Sequence, residues 1–177
     1  MSDLGLLLLR LVVGGLLAGH GAQKQFGAFG GHGFSGTAGF LEQQGLEPGH
    51  VWASMATAGE FGGGLMTVLG LGGPLGSIMT MAAMLMATVK AHWGKPIWNT
   101  AGGAELPMVN IAASLALALT GPGACSLDRL FGVRIPRWLT ALFTVGALGT
   151  VLYGAMSKPE PQVDEQAGVN GRGQAAA

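Results

Sequence analysis

Charge is scarce in this chain. Nine Lys and Arg and nine Asp and Glu make up 10% of its 177 residues, where average usage is about 25%. The formal net charge is zero, so no basic surface invites DNA or RNA, and a nucleic-acid partner is excluded. Cysteine is almost as rare. Cys125 is the one thiol, which rules out a disulfide or a Cys-x-x-Cys dithiol within the chain. Any redox role must draw on an external cofactor, a quinone or a partner's thiol, and Cys125 itself reads as a small packed side chain. Enzyme motifs are missing as well: there is no Gly-x-Ser-x-Gly and no Walker sequence. The run from Gly31 to Gly36 mimics a dinucleotide fingerprint, but no strand precedes it. With so few polar side chains, the chain cannot cover itself in water, and a soluble enzyme is a poor fit.

What the chain does hold is glycine and long apolar runs. Glycine supplies 33 of the 177 residues, against roughly 7% in average usage. A helix needs about 20 apolar residues to cross a bilayer. Candidate spans lie at about 4–23, 51–71, 75–89, 106–123 and 138–156. Lipid offers no partner to open backbone groups, so each is expected to be helical. The first window lacks a basic leader and is split by Arg10, which argues for a retained membrane helix over a signal peptide. Gly72-Gly73-Pro74 and Gly121-Pro122-Gly123 are the breaks between spans. The segment from about Lys24 to His50 is too short and polar to cross. It is expected to lay a short helix at the interface, capped by Ser35 or Thr37, with Phe40 and Leu41 on its apolar side.

The expected fold is therefore all-α, a polytopic transmembrane bundle over residues 1–157 forming one domain, followed by a disordered polar tail at 158–177. Small-xxx-small spacing at Gly15/Gly19 and Gly59/Gly63 predicts close helix contacts. The cluster of Arg129, Arg134 and Arg137 favours a cytoplasmic N-terminus.

An ionisable residue inside a span is costly and normally faces protein. Arg10 lies about 9 Å in from one side and Glu60 about 15 Å, at ~1.5 Å per residue. An intramembrane Arg10–Glu60 ion pair is the expectation. Arg10, His20 and Lys24 fall within an arc of about 80° on the first helix, a stripe that should face protein. Antiparallel connection then gathers His20, Lys24, Lys90, His92, Lys95 and Glu105 on one membrane side. Of these, His20, Lys24, His92 and Glu105 are the candidate ligand pocket, a polar mouth suited to an anion or a quinone headgroup, with histidine able to exchange protons near neutral pH. The competing reading is that Lys and His at helix ends simply snorkel to the headgroups. No His-x-x-x-His or His-Glu-x-x-His spacing occurs, so no metal site is expected. A haem between His20 and His92 would need both rings in one cavity and is not expected either. The methionines of the third span, Met79, Met81, Met84 and Met86, read as packing.

The stretches LRLVVGGLLAGHGAQKQFG (9–27), AGEFGGGLMTVLGL (58–71), VKAHWG (89–94) and ELPMVNIAASLALALTGPGACSLDRLFG (105–132) together resemble the DoxX family of small bacterial membrane proteins. The resemblance spans roughly 4–132 and implies a four-helix core, to which the window at 138–156 adds a fifth, C-terminal helix. Positions that match the family pattern are Arg10, His20, Lys24, Glu60, His92, Glu105, Ser126 and Asp128. It implies a multi-pass protein of the bacterial inner membrane, redox-associated; one member type is the quinone-linked subunit of a thiosulfate-oxidising complex, and others are proposed to join thiol-defence assemblies.

The leading expectation is thus a quinone-linked oxidoreductase subunit, embedded in the lipid bilayer, that passes electrons from a partner subunit or a small sulfur donor to quinone. Two alternatives remain: a non-catalytic anchor or assembly factor for a soluble redox partner, and a small-solute transporter with Arg10 and Glu60 on its pathway. Homo-oligomerisation is compatible with each.

Overall fold

The computed structural model of the protein describes residues 2–158. Every regular element among them is helical. Helix α1 (Ser2–Phe26) is unbroken. A short 3-10 turn (Ala28–Gly30) leads to α2 (Gly33–Gln43). Next come α3 (Gly49–Thr57), a π-helical turn (Ala58–Gly62) and α4 (Gly63–Leu69), which together form one helical path from 49 to 69. Helix α5 (Leu75–Ala87) also ends in a π-helical turn (Thr88–His92). After a 3-10 turn (Asn99–Ala101) come α6 (Glu105–Thr120), α7 (Leu127–Phe131) and α8 (Arg137–Met156). Two helices, α1 from Asp3 and α8, are long and apolar enough to cross a membrane. The disordered tail expected at 158–177 lies, from residue 159 on, outside the described residues.

The distribution of side chains is that of a protein solvated by lipid. Leu4, Leu8, Leu11, Val12 and Leu16 face outward on α1, while Arg10 is buried at 2% exposure beside Val13, Leu17 and Ala18. Leu142, Val145 and Leu152 are likewise exposed on α8, and Leu115 and Leu119 on α6. Polar side chains are buried instead: Glu60, Thr67, Ser77, Thr80, Ser114 and Asp128. Water would penalise that arrangement, and hydrocarbon rewards it. The buried Thr80 and Ser114 hydroxyls hydrogen-bond at 2.9 Å and tie α5 to α6, the kind of polar contact that joins helices where no hydrophobic effect separates them from lipid.

Glycine sets how closely the helices approach. A Cβ at Gly64 would fall 2.5 Å from the Ala18 nitrogen, and one at Gly14 would fall 2.8 Å from the Gly64 oxygen, so α1 and α4 meet backbone to backbone. Gly63 and Gly76 join α4 to α5 in the same way, each with the other's carbonyl 2.9 Å from where a Cβ would lie. Gly15 and Gly19, expected at a contact, have nothing within 4 Å. The packed seam of α1 runs through Arg10, Gly14, Leu17, Gly21 and Lys24, spacings of three and four residues that average 3.5. The interfacial helix also begins earlier than expected: α2 starts at Gly33. Thr37 is therefore inside it, donating to the Gly33 carbonyl at 2.8 Å rather than capping the end.

Candidate functional site: two polar centres and an apolar cavity

The register of α1 against the 49–69 helix decides which charges meet. Gly14 lies opposite Gly64, and Gly21 lies against Phe61. That antiparallel alignment puts Arg10 level with the end of α4 and Glu60 level with the far end of α1. The expected Arg10–Glu60 pair does not form. Glu60 lies about three to four helical turns from Arg10, near 18 Å along the axis, too far for a guanidinium to reach.

Arg10 instead binds four backbone carbonyls. Its Nε donates to Thr67 O at 2.9 Å and Nη2 to Val68 O at 2.8 Å; Nη1 donates to Pro122 O at 2.5 Å and Cys125 O at 2.8 Å. Thr67 and Val68 belong to the last turn of α4, whose carbonyls have no partner within the helix and carry the negative end of its dipole. Gly70 closes that helix at φ 63°, and a Cβ there would sit 2.6 Å from the guanidinium, so glycine serves both the left-handed cap and the space for Arg10. Asp128 completes the knot. Its carboxylate accepts from Gly72 N at 2.9 Å and Gly73 N at 2.5 Å, and its own N–H donates to Gly70 O at 3.0 Å. Ser126 caps α7, accepting from Arg129 N at 3.3 Å. This centre joins the α4–α5 turn to the chain after α6. Cys125, expected to be packed, is exposed beside it, because its carbonyl and not its thiol faces Arg10.

The second centre is at the opposite end of α1. Lys24 forms an ion pair with Glu60. Glu60 is 2% exposed, its Oε1 bonded to Lys24 and its Oε2 without a hydrogen-bond partner among the described residues. Both line a cavity of about 460 Å³. Its walls are mainly apolar: Phe40 and Leu46 from the α2 side, Trp52 and Met55 from α3, Met79 and Met86 from α5, and Phe143 and Val151 from α8. Lys90 and His92 also border it. Lys90 donates to Gln44 O at 3.0 Å and Ser157 O at 2.6 Å, tying the end of α2 to the end of α8. His92 Nδ1 is 2.7 Å from Gly102 O. A carbonyl can only accept, so Nδ1 carries a proton and Nε2 is the free ring nitrogen.

Of the residues expected at the polar mouth, Lys24 and His92 border the cavity, with Glu60 now among them. His20 and Glu105 do not. His20 is exposed, its ring 3.1 Å from the Gln23 side chain. The 80° arc on α1 is wider than the buried seam, and His20 lies outside it. Glu105 accepts from Asn99 N at 2.9 Å and stiffens the loop before α6. Sequence reasoning missed Lys24 as the partner of Glu60, Lys90 as the tie between elements, and α8 as a cavity wall. It also missed that Glu60 and the Lys90–His92 pair lie on the two π-helical turns. Such turns place an extra residue in the helix and rotate the side chains of the next turn, often at functional sites.

No cluster of three or more His, Cys, Asp or Glu that could hold a metal occurs among the described residues. In comparisons with known proteins, the DoxX family model matches residues 5–93, half of the chain. No curated protein and no solved structure matches.

Proposed function

The chain belongs to the DoxX family and is a bacterial membrane protein; from that premise we propose that it is the quinone-binding membrane subunit of a redox assembly. Electrons come from a partner subunit or a small sulfur donor, and quinone in the bilayer is the acceptor. The observation that carries this reading is the cavity, a largely apolar chamber of about 460 Å³ bordered by the half-exposed Lys24 and its ion-pair partner, the buried Glu60. Apolar walls with a few convergent polar groups are the usual form of a small-molecule site. Quinone reduction consumes two electrons and two protons per molecule, so the site must supply hydrogen-bond donors to carbonyl oxygens and a route for protons. Lys24 has N–H groups beyond the one directed at Glu60. Glu60 Oε2 can hold or release a proton, and the free Nε2 of His92 can exchange one towards the loops.

The same reading takes residues 1–157 as one bundle of five spans, with the 49–69 path, α5 and α6 crossing alongside α1 and α8. A transport pathway through Arg10 and Glu60 would need both charges on one channel. Arg10 spends four of its five N–H donors on carbonyls, which favours the redox reading. An anchor or assembly role is compatible with the exposed Cys125 but leaves the cavity without a purpose.

Titration of the purified protein in nanodiscs with a short-chain benzoquinone tests the proposal through quenching of tryptophan fluorescence. Saturable quenching that disappears in Trp52→Phe, and weakens by about tenfold, some 1.4 kcal/mol, in Lys24→Met, is expected. Quenching that rises linearly and equally in all three proteins would reject it.

A further inference from the structure

The cavity continues outward through one seam. A groove of about 430 Å³ runs along α3 and α8, bordered by Val51, Gly149 and Tyr153 and, at the end before α3, by Glu47 and Pro48. Trp52, Met55 and Thr150 border both this groove and the cavity, so the two are neighbours across one layer of side chains. That layer is thin. Helix α8 packs mainly on α5, and its contact with α3 is slight. What closes the seam is the stacking of Trp52 on Tyr153, ring centres 6.0 Å apart and planes 8° from parallel. Trp52 is held from behind, its indole N–H donating to Glu47 O at 3.4 Å, and it is 7% exposed. Tyr153 is 66% exposed. Below the stack, Gly154 packs on Met86 and Trp52. Above it, Gly149 has nothing within 4 Å of where a Cβ would stand, so the groove is open one helical turn from the aromatic pair.

We propose that the α3–α8 seam is the lateral entry to the cavity and that the groove holds the isoprenoid tail of the bound quinone. The inference rests on the proposed quinone site and extends it: the headgroup lies by Lys24 and Glu60, and the chain leaves sideways past Trp52 and Tyr153 into the bilayer. A long polyisoprenoid tail outgrows a chamber of about 460 Å³ and must exit somewhere. The groove is separated from the chamber by the shared side chains of Trp52, Met55 and Thr150, and its surface is mainly apolar. Lipid tails are as apolar as the groove, so seating the chain there adds little affinity. The groove's effect is steric: it must be open for a long-tailed ligand and is irrelevant to a short one.

The test measures binding of two benzoquinones with the same ring to the full chain in nanodiscs, one bearing a single isoprene unit and one a long polyisoprenoid tail, in mole-fraction units. The wild type is expected to bind both within about threefold. Gly149→Trp fills the groove and is expected to weaken the long-tailed ligand by about tenfold or more, equivalent to 1.4 kcal/mol, leaving the short one unchanged. Gly146→Trp is the control, since Gly146 is equally open but does not border the groove, and it should leave both unchanged. Equal weakening of both ligands by Gly149→Trp, weakening of neither, or the same selective loss in Gly146→Trp would overturn the lateral entry. Failure of the short-chain ligand to bind the wild type would instead overturn the quinone site itself.

Discussion

Arg10 and Lys24 are separated by about 21 Å along one helix and serve opposite ends of the molecule. Arg10 supplies the donor to the Val68, Pro122 and Cys125 carbonyls and a second donor to that of Thr67, which also accepts from Gly70 N, so its removal strips bonds from a helix end and a turn. Arg10→Met is expected to destabilise the detergent-solubilised protein by roughly 3–5 kcal/mol, the range for breaking a buried charged network. Arg10→Lys, with one point charge for four directed bonds, should recover only part of that loss. Thermal unfolding in detergent measures both, and a Tm unchanged in Arg10→Met would contradict the clamp. Lys24 and Glu60 are different, because each compensates the other's charge. Lys24→Met leaves a buried carboxylate alone and should lower Tm, whereas Lys24→Met/Glu60→Gln should regain most of it. The double variant should still lack high-affinity quinone binding. Equal destabilisation by the single and double changes would show that the pair is not coupled. That Arg10 and Glu60 were special was readable from their place inside apolar windows. Their partners were not, because depth counted from each window's end ignores the register, which Gly14, Gly21 and Gly64 set by backbone contact.

Helical elements in this protein are defined by what their glycines permit. Small-xxx-small spacing points to Gly15/Gly19 and Gly59/Gly63; the second pair packs on α5, whereas on α1 the packed residues are Gly14 and Ala18. Gly64→Ala would drive a methyl group into the α1 backbone, and overpacking of this kind costs about 1–3 kcal/mol. Gly15→Ala and Gly19→Ala add a methyl to open space and should be neutral or slightly stabilising. Comparing the folded, monodisperse yield of the three variants checks the packing face, and the reverse order would mean that α1 is rotated. The helix breaks at 72–74 and 121–123 were legible, since Gly and Pro punctuate helices by their own backbone chemistry, although α4 already ends at Leu69, capped by Gly70. The π-helical turns were not. Their extra residue arises from packing between helices, and a count at 100° per residue assumes it away.

At the scale of the whole molecule, an all-helical membrane protein was legible from composition, because a chain with 10% charged residues has no other way to be solvated. The cavity was not, since it is built from α2, α3, α5 and α8, whose side chains come together only in the folded bundle. The five-span reading places Trp93 and Arg129 on opposite sides of the membrane. In a Cys125→Ser background, Trp93→Cys and Arg129→Cys should react with a membrane-impermeant thiol reagent from opposite faces of sealed vesicles. Labelling of both from one face would require a different number of crossings. The central claim is that the chamber bordered by Lys24 and Glu60 binds quinone, and photocrosslinking of the wild type in native membranes with an azidoquinone, mapped by mass spectrometry, tests it most directly. The account predicts label on the cavity-bordering parts of α3, the Glu60 turn and α5, suppressed by excess unlabelled quinone. Label confined to the lipid-facing sides of α1 and α6, and indifferent to competitor, would contradict it.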